Sequence, residues 1–198
     1  MIRCPVRSPI AIIRWLASLP AIFAFGTLSV SAQESVHVLP HVKPRLVVLT
    51  DLSNEPDDEE SLVRLLVYSD QLDIEGLIAT TSNWLKTNPR EDLIRRDLEA
   101  YAKVRKNLLK HSPAFPSAAQ LSAVTRTGQL GFGIAFVGAG KSSGGSRRLI
   151  EAADRADERP LWVSVWGGPN TLAQALWDVR ASRPAAEVEK FIAKLRVY

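Results

Sequence analysis

Cysteine is nearly absent. Cys4 is the single thiol among 198 residues, and it precedes the first apolar stretch, so the chain offers neither a disulfide framework nor a lipoprotein-type cysteine. An apolar run of bilayer length is also missing. The nearest approach, WLASLPAIFAFGTL, is short for a span and is interrupted by Pro20 and Gly26. A real charge excess is the third absence. The formal net charge is +4, but residues 1–32 hold Arg3, Arg7 and Arg14 and no acid, so 22 of the 25 basic side chains remain against 21 acidic ones. A mature chain so close to neutrality has nothing to attract nucleic acid or an anionic membrane.

The N-terminus has the form of an export signal. Three arginines precede the apolar stretch, and SVSA follows with small residues at Val30 and Ala32, which predicts cleavage after Ala32 and a bacterial periplasmic or secreted protein. No stable membrane span is expected once this leader is removed. Residues 33–44 read as a linker. His37 and His41 have a spacing that would suit two metal ligands on a helix, but Pro40 between them argues against that helix. Residues 45–198 are enough for one α/β domain held by its core alone.

From Arg45 onward, short β-branched or leucine runs alternate with longer amphipathic segments, the pattern of an open, mostly parallel sheet with helices on both faces. RLVVLT and IEGLIATT are predicted strands, as are LWVSVW and the final LRVY. SLVRLLVYSDQL is a predicted helix. A long helix is expected to open at Asn88 as N-cap, with Pro89 at its first position and Glu91 completing a capping box. Further helices are expected after Ser117 and over RRLIEAADRA, TLAQALWDVR and EVEKFIAK, with GIAFVGAGKSSGGS a strand or loop between. Because LRVY breaks off in an apolar strand, the domain is expected to be C-terminally incomplete.

In open parallel sheets, ligands bind beyond the carboxyl ends of the strands. The first such end is TDLSNEPDDEES, which sets Asp51, Glu55, Asp57, Asp58, Glu59 and Glu60 within ten positions. Two like charges about 4 Å apart repel by roughly 4 kcal/mol at an effective dielectric near 20, so such a cluster needs protons, a helix end or a cation. Capping is one reading, with Asp57 or Asp58 as N-cap and Glu59 and Glu60 facing the helix dipole. A Ca²⁺ site built from hard oxygen ligands is the other, and it alone accounts for Asp51 and Glu55.

The same stretch resembles the N-terminal motif of the nucleoside hydrolase superfamily, D-x-D-P-G-x-D-D, which also follows a first strand. It is closer still to the secreted branch described as cellulose-binding, nucleoside-hydrolase-like domains. DIEGLIATTSNW and PLWVSVWGGPNTLAQAL resemble later segments of that branch, and the likeness runs from Arg45 to Tyr198. The resemblance implies a Rossmann-like fold of nucleoside hydrolase type and a calcium-dependent hydrolase of glycosidic, N-ribosyl-like bonds. Asp57 would be the base that deprotonates the attacking water, and Asp58 a calcium ligand. Asp51 matches the first motif Asp, whereas the second, a calcium ligand, falls on Ser53, and the family's Gly falls on Glu55. From the chemistry, Glu55 could supply the charge that Ser53 lacks. Asn170 lines up with a residue whose backbone carbonyl binds calcium, and Asn83 lies near an Asn that contacts the sugar. The family also uses a C-terminal Asp and often a His, which would lie beyond Tyr198, so weak or absent turnover is expected of this chain. The alternative is a non-catalytic carbohydrate-binding domain on the same fold.

Trp84 and Trp166 follow two of the strand ends and could stack on a sugar or nucleobase, or pack in the core or rim. The run from Ala135 to Ser142 satisfies a loose phosphate-loop pattern with Lys141 as the phosphate contact. It lacks a following strand ending in Asp and is expected to be a surface or site-rim loop.

Overall fold

The computed structural model describes residues 42–53 and 55–198. The expected leader, 1–32, and linker residues 33–41 with His37 and His41 lie outside the described residues. The elements run β1 (Arg45–Thr50), α1 (Pro56–Val67), β2 (Asp73–Ala79), α2 (Glu91–Leu108), α3 (Ala118–Ala123), β3 (Thr125–Thr127), α4 (Gly144–Asp154), β4 (Leu161–Val165), α5 (Asn170–Ser182), α6 (Ala185–Ala193) and β5 (Leu195–Val197). All five strands are parallel, in the order β3-β2-β1-β4-β5. The α/β class expected from the alternating segments is the one the chain adopts.

Strand β1 is central and buried on both faces. Its two-residue period sends Val47 and Leu49 to one core, against α4, α5 and α6 through Leu149, Ala153, Ala175 and Phe191. Val48 faces the other core, where Leu62 of α1, Ile94 and Leu98 of α2 and Leu121 of α3 pack. These apolar faces follow the helical period read from the sequence.

Local starts differ from expectation. Helix α1 begins at Pro56, five residues before SLVRLLVYSDQL, so Asp57, Asp58 and Glu59 form its first turn. Asn88 adopts a left-handed φ of 60° and does not cap α2. The N-cap is Arg90, whose guanidinium has no acceptor to offer the helix N–H groups and makes no side-chain cap bond; the Glu91 carboxylate is engaged by Arg95 and the Thr127 hydroxyl. Strand β3, only Thr-Arg-Thr, lies outside the expected strands, since three residues carry no period. In the segment GIAFVGAGKSSGGS, residues 133–143 are a loop with one 3₁₀ turn at Ile134–Phe136, and the final GGS is the first turn of α4, capped by Ser143.

The opposite end of the sheet is locked by charge. A register shift between Leu46 and Val47 against β2 leaves Glu75 as an extra residue. Its carboxylate meets Arg45, whose Nε and Nη2 donate at 2.6 and 3.0 Å. Arg45 is 0% exposed and Glu75 4%, and Arg45 also donates to the carbonyls of Ala152 and Arg159. Removing one partner of a buried ion pair leaves the other short of compensation, though Glu75 keeps Arg155 at 3.1 Å. Arg45→Met is therefore expected to lower the free energy of unfolding by no more than about 3 kcal/mol in urea titrations, the low end for a broken buried pair, and Arg45→Met with Glu75→Leu to regain much of it.

Candidate functional site

From β1 the chain moves outward to β2 and β3, then crosses back to β4 on the other side of β1. Such a reversal opens a crevice at the carboxyl ends of the two diverging strands. A cavity of about 300 Å³ lies there. The turn after β1 contributes Asp51, Glu55, Asp57 and Asp58 to its wall, and the turn after β2 contributes Ser82, Asn83 and Trp84. Trp166, Gly167, Gly168 and Pro169 come from the end of β4, and Phe132 from the loop after β3.

The acidic turn is shaped by one side chain. Asp58, at the third position of α1, turns its carboxylate back across the turn, where Oδ2 accepts from Thr50 Oγ1 and from Asp51 N, both at 3.0 Å. The N-cap is Glu55 in extended conformation, with no side-chain cap bond, so neither Asp57 nor Asp58 takes the capping position. Ser53 turns the chain at φ 98° and is exposed. Burial, reinforced by the Asp51 carboxyl group within hydrogen-bonding reach, pushes the Asp58 carboxyl up to about 6, against the opposing bonds from Thr50 and the Asp51 N–H. Asp57 stands exposed on the cavity wall and makes no hydrogen bond among the described residues.

The aromatic side is held by short turns. Ser82 Oγ accepts from the N–H groups of Trp84 and Leu85, both at 3.0 Å, which presents Asn83 and Trp84 at the rim with the indole 70% exposed. Trp166 is half-buried, its Nε1 donating to Ser164 Oγ at 2.9 Å. Asn170 is not part of the wall. It is 5% exposed, and its amide donates to the carbonyls of Gly131 and Gly133 while Oδ1 accepts from Gly133 N. Its side chain thus fixes the loop that carries Phe132. Phe132 itself escaped the sequence reading; an aromatic between two glycines, G-F-G, is the signal that could have found it. Lys141 is exposed and bonds the Ala135 carbonyl, in a surface loop away from this cavity.

Among the described residues, no three His, Cys, Asp or Glu side chains converge as a metal site. What converges is the Asp51–Asp58 pair, with Glu55 further along the wall. Two observations nevertheless fit a hard cation there. The groups around the pair offer oxygen rather than nitrogen or sulfur. The hydroxyl of Thr80, next in the chain after β2, is buried without a hydrogen-bond partner among the described residues, on the same side of Gly167 as the Asp51 carboxylate.

The family described as cellulose-binding Sde182, nucleoside hydrolase-like domain, matches residues 45–198. The chain belongs to this family. A solved structure of a nucleoside hydrolase-related hypothetical protein from Saccharophagus degradans, associated with carbohydrate metabolism, shares 44% identity at a TM-score of 0.78. That similarity covers 79% of this chain and 38% of the Saccharophagus chain. No curated protein matches. Among the described residues, no helix is long and apolar enough to cross a membrane.

The raised Asp58 carboxyl gives a pH test of this geometry. A carboxyl that holds its proton more tightly when folded adds stability below its unfolded value, and loses it as pH rises through the folded one. In melts without divalent ions, stability is expected to fall between about pH 4 and 6. Asp58→Asn is expected to flatten that slope.

Proposed function

We propose that the domain binds a saccharide in the cavity at the carboxyl ends of its strands. The observation that carries this reading is Trp84, which is 70% exposed on a cavity whose wall sets Phe132 and Trp166 beside four carboxylates and the Asn83 amide. A buried aromatic fills a core; this one does not. An open aromatic face suits the C–H face of a sugar ring, while Asn83 and the carboxylates suit its hydroxyls. Membership of a cellulose-binding family supports a polysaccharide or a fragment of one as ligand. Export by the leader at residues 1–32 belongs to the same reading, since insoluble polysaccharide lies outside the cell.

Hydrolysis of a glycosidic, N-ribosyl-like bond is the second reading, favoured by Asp57. Its carboxylate lines the cavity with no partner among the described residues, free to take a proton from water as a glycosidic bond opens through an oxocarbenium-like state. Asp51 and Asp58 would hold Ca²⁺, with Glu55 adding charge at the wall. When bound, the ion would orient a sugar diol and make water more acidic. Ser53, standing where the family motif has a second carboxylate, is exposed and outside the cavity wall, which weighs toward binding over turnover.

In pull-downs on insoluble cellulose the protein is expected to be retained, and Trp84→Ala to bind roughly tenfold more weakly, the scale of one aromatic stacking contact. With p-nitrophenyl riboside, turnover is expected to be slow or undetectable. A robust rate abolished by Asp57→Asn would instead place hydrolysis first.

A further inference from the structure

An enclosed hydroxyl without a partner is disfavoured unless something supplies one. Thr80 is 0% exposed, and its Oγ1 has no partner among the described residues. The glycine after Trp166 shows where that oxygen lies. A β-carbon on Gly167 would stand 2.8 Å from Thr80 Oγ1 and 2.5 Å from Asp51 Oδ1, so the two oxygens flank one point at the base of the site. Asp51 is also the residue whose carboxyl group reaches Asp58. The neighbouring hydroxyl, Thr50 Oγ1, already donates to Asp58, and Ser53 is exposed on the turn. An oxygen to replace the one that the motif loses at Ser53 thus stands beside Asp51, just past the end of β2.

We infer that Thr80 Oγ1 is an oxygen ligand of a hard divalent cation held with Asp51 and Asp58, and that residue 167 is glycine to keep the approach of those oxygens open. This rests on the cation part of the reading above. A neutral hydroxyl beside two carboxylates suits Ca²⁺, which accepts mixed oxygen donors and irregular geometry and completes its shell with water. A β-carbon at position 167 would displace the Asp51 carboxylate. The hydroxyl needs no deprotonation to serve.

The test uses the full chain, stripped with a chelator and titrated calorimetrically with calcium chloride, alongside melts with and without the ion. The unmodified protein is expected to take up Ca²⁺ and to melt higher in its presence. Thr80→Val keeps the shape and removes the oxygen, so calcium affinity is expected to fall roughly tenfold or more, whereas Thr80→Ser retains it. In chelator, Thr80→Val is expected to melt at or above the unmodified protein, because it deletes an unpaired hydroxyl. Calcium uptake by Thr80→Val equal to that of the unmodified protein would overturn the inference. So would an absence of uptake by the unmodified protein, or a Thr80→Val melt well below it in chelator, which would give the hydroxyl a structural partner. Cellulose pull-downs on the same samples separate the two readings: retention without calcium uptake sinks the cation alone, and uptake without retention sinks the saccharide alone.

Discussion

The bond from Asp51 N to Asp58 Oδ2, with Thr50 Oγ1 donating to the same oxygen, ties the start of α1 to the end of β1. The acidic side of the mouth of the sheet depends on that clamp. It closes the turn tightly enough to bring the Asp51 carboxyl group against Asp58, and it leaves Asp57 directed at the cavity. A helix N-terminus normally spends an acidic side chain on its own backbone N–H groups. Here the third residue of α1 binds the strand end instead, and the N-cap, Glu55, makes no side-chain cap bond.

The two ends of the sheet handle negative charge in opposite ways. At the amino ends of the strands, Glu75 is met by Arg45 and Arg155, Asp73 by Arg159, and Asp157 by Arg155 and Arg159. Arg159 and Arg155 hold Asp157 well below the usual carboxylate range. At the carboxyl ends, no arginine or lysine pairs with Asp51, Glu55, Asp57 or Asp58 among the described residues. Negative charge compensated by side chains is architecture. Carboxylates gathered without a cationic side chain, beside an open indole and a buried unpaired hydroxyl, leave the compensation to a proton or to something that binds.

Much of the fold was legible because its elements are periodic. RLVVLT, LWVSVW and the apolar positions of α2 carry the two- and 3.6-residue periods that burial on a sheet or a helix face demands. Elements without a period escaped. β3 is three residues long and is a strand only because Leu77, Ile78 and Ala79 offer it an edge. The start of α2 was misplaced because capping residues fit several positions, and the partners of Glu91 proved to be Arg95 and a hydroxyl 36 residues away.

The site divides along the same line. The sequence by itself determined the chemical inventory: a run of carboxylates directly after a buried strand, Asn83 and Trp84 after the next, and Trp166 with two glycines after a later one. Local pattern suffices there, because each group follows the end of its own strand. Tertiary structure decided which groups meet. It set Asp58 against Asp51, brought Phe132 into the wall, turned the Asn170 side chain to bracing a loop, and enclosed Thr80 against the bare Cα of Gly167. Those outcomes depend on strand order and on the depth to which each turn is buried, and neither leaves a mark in any short window of residues.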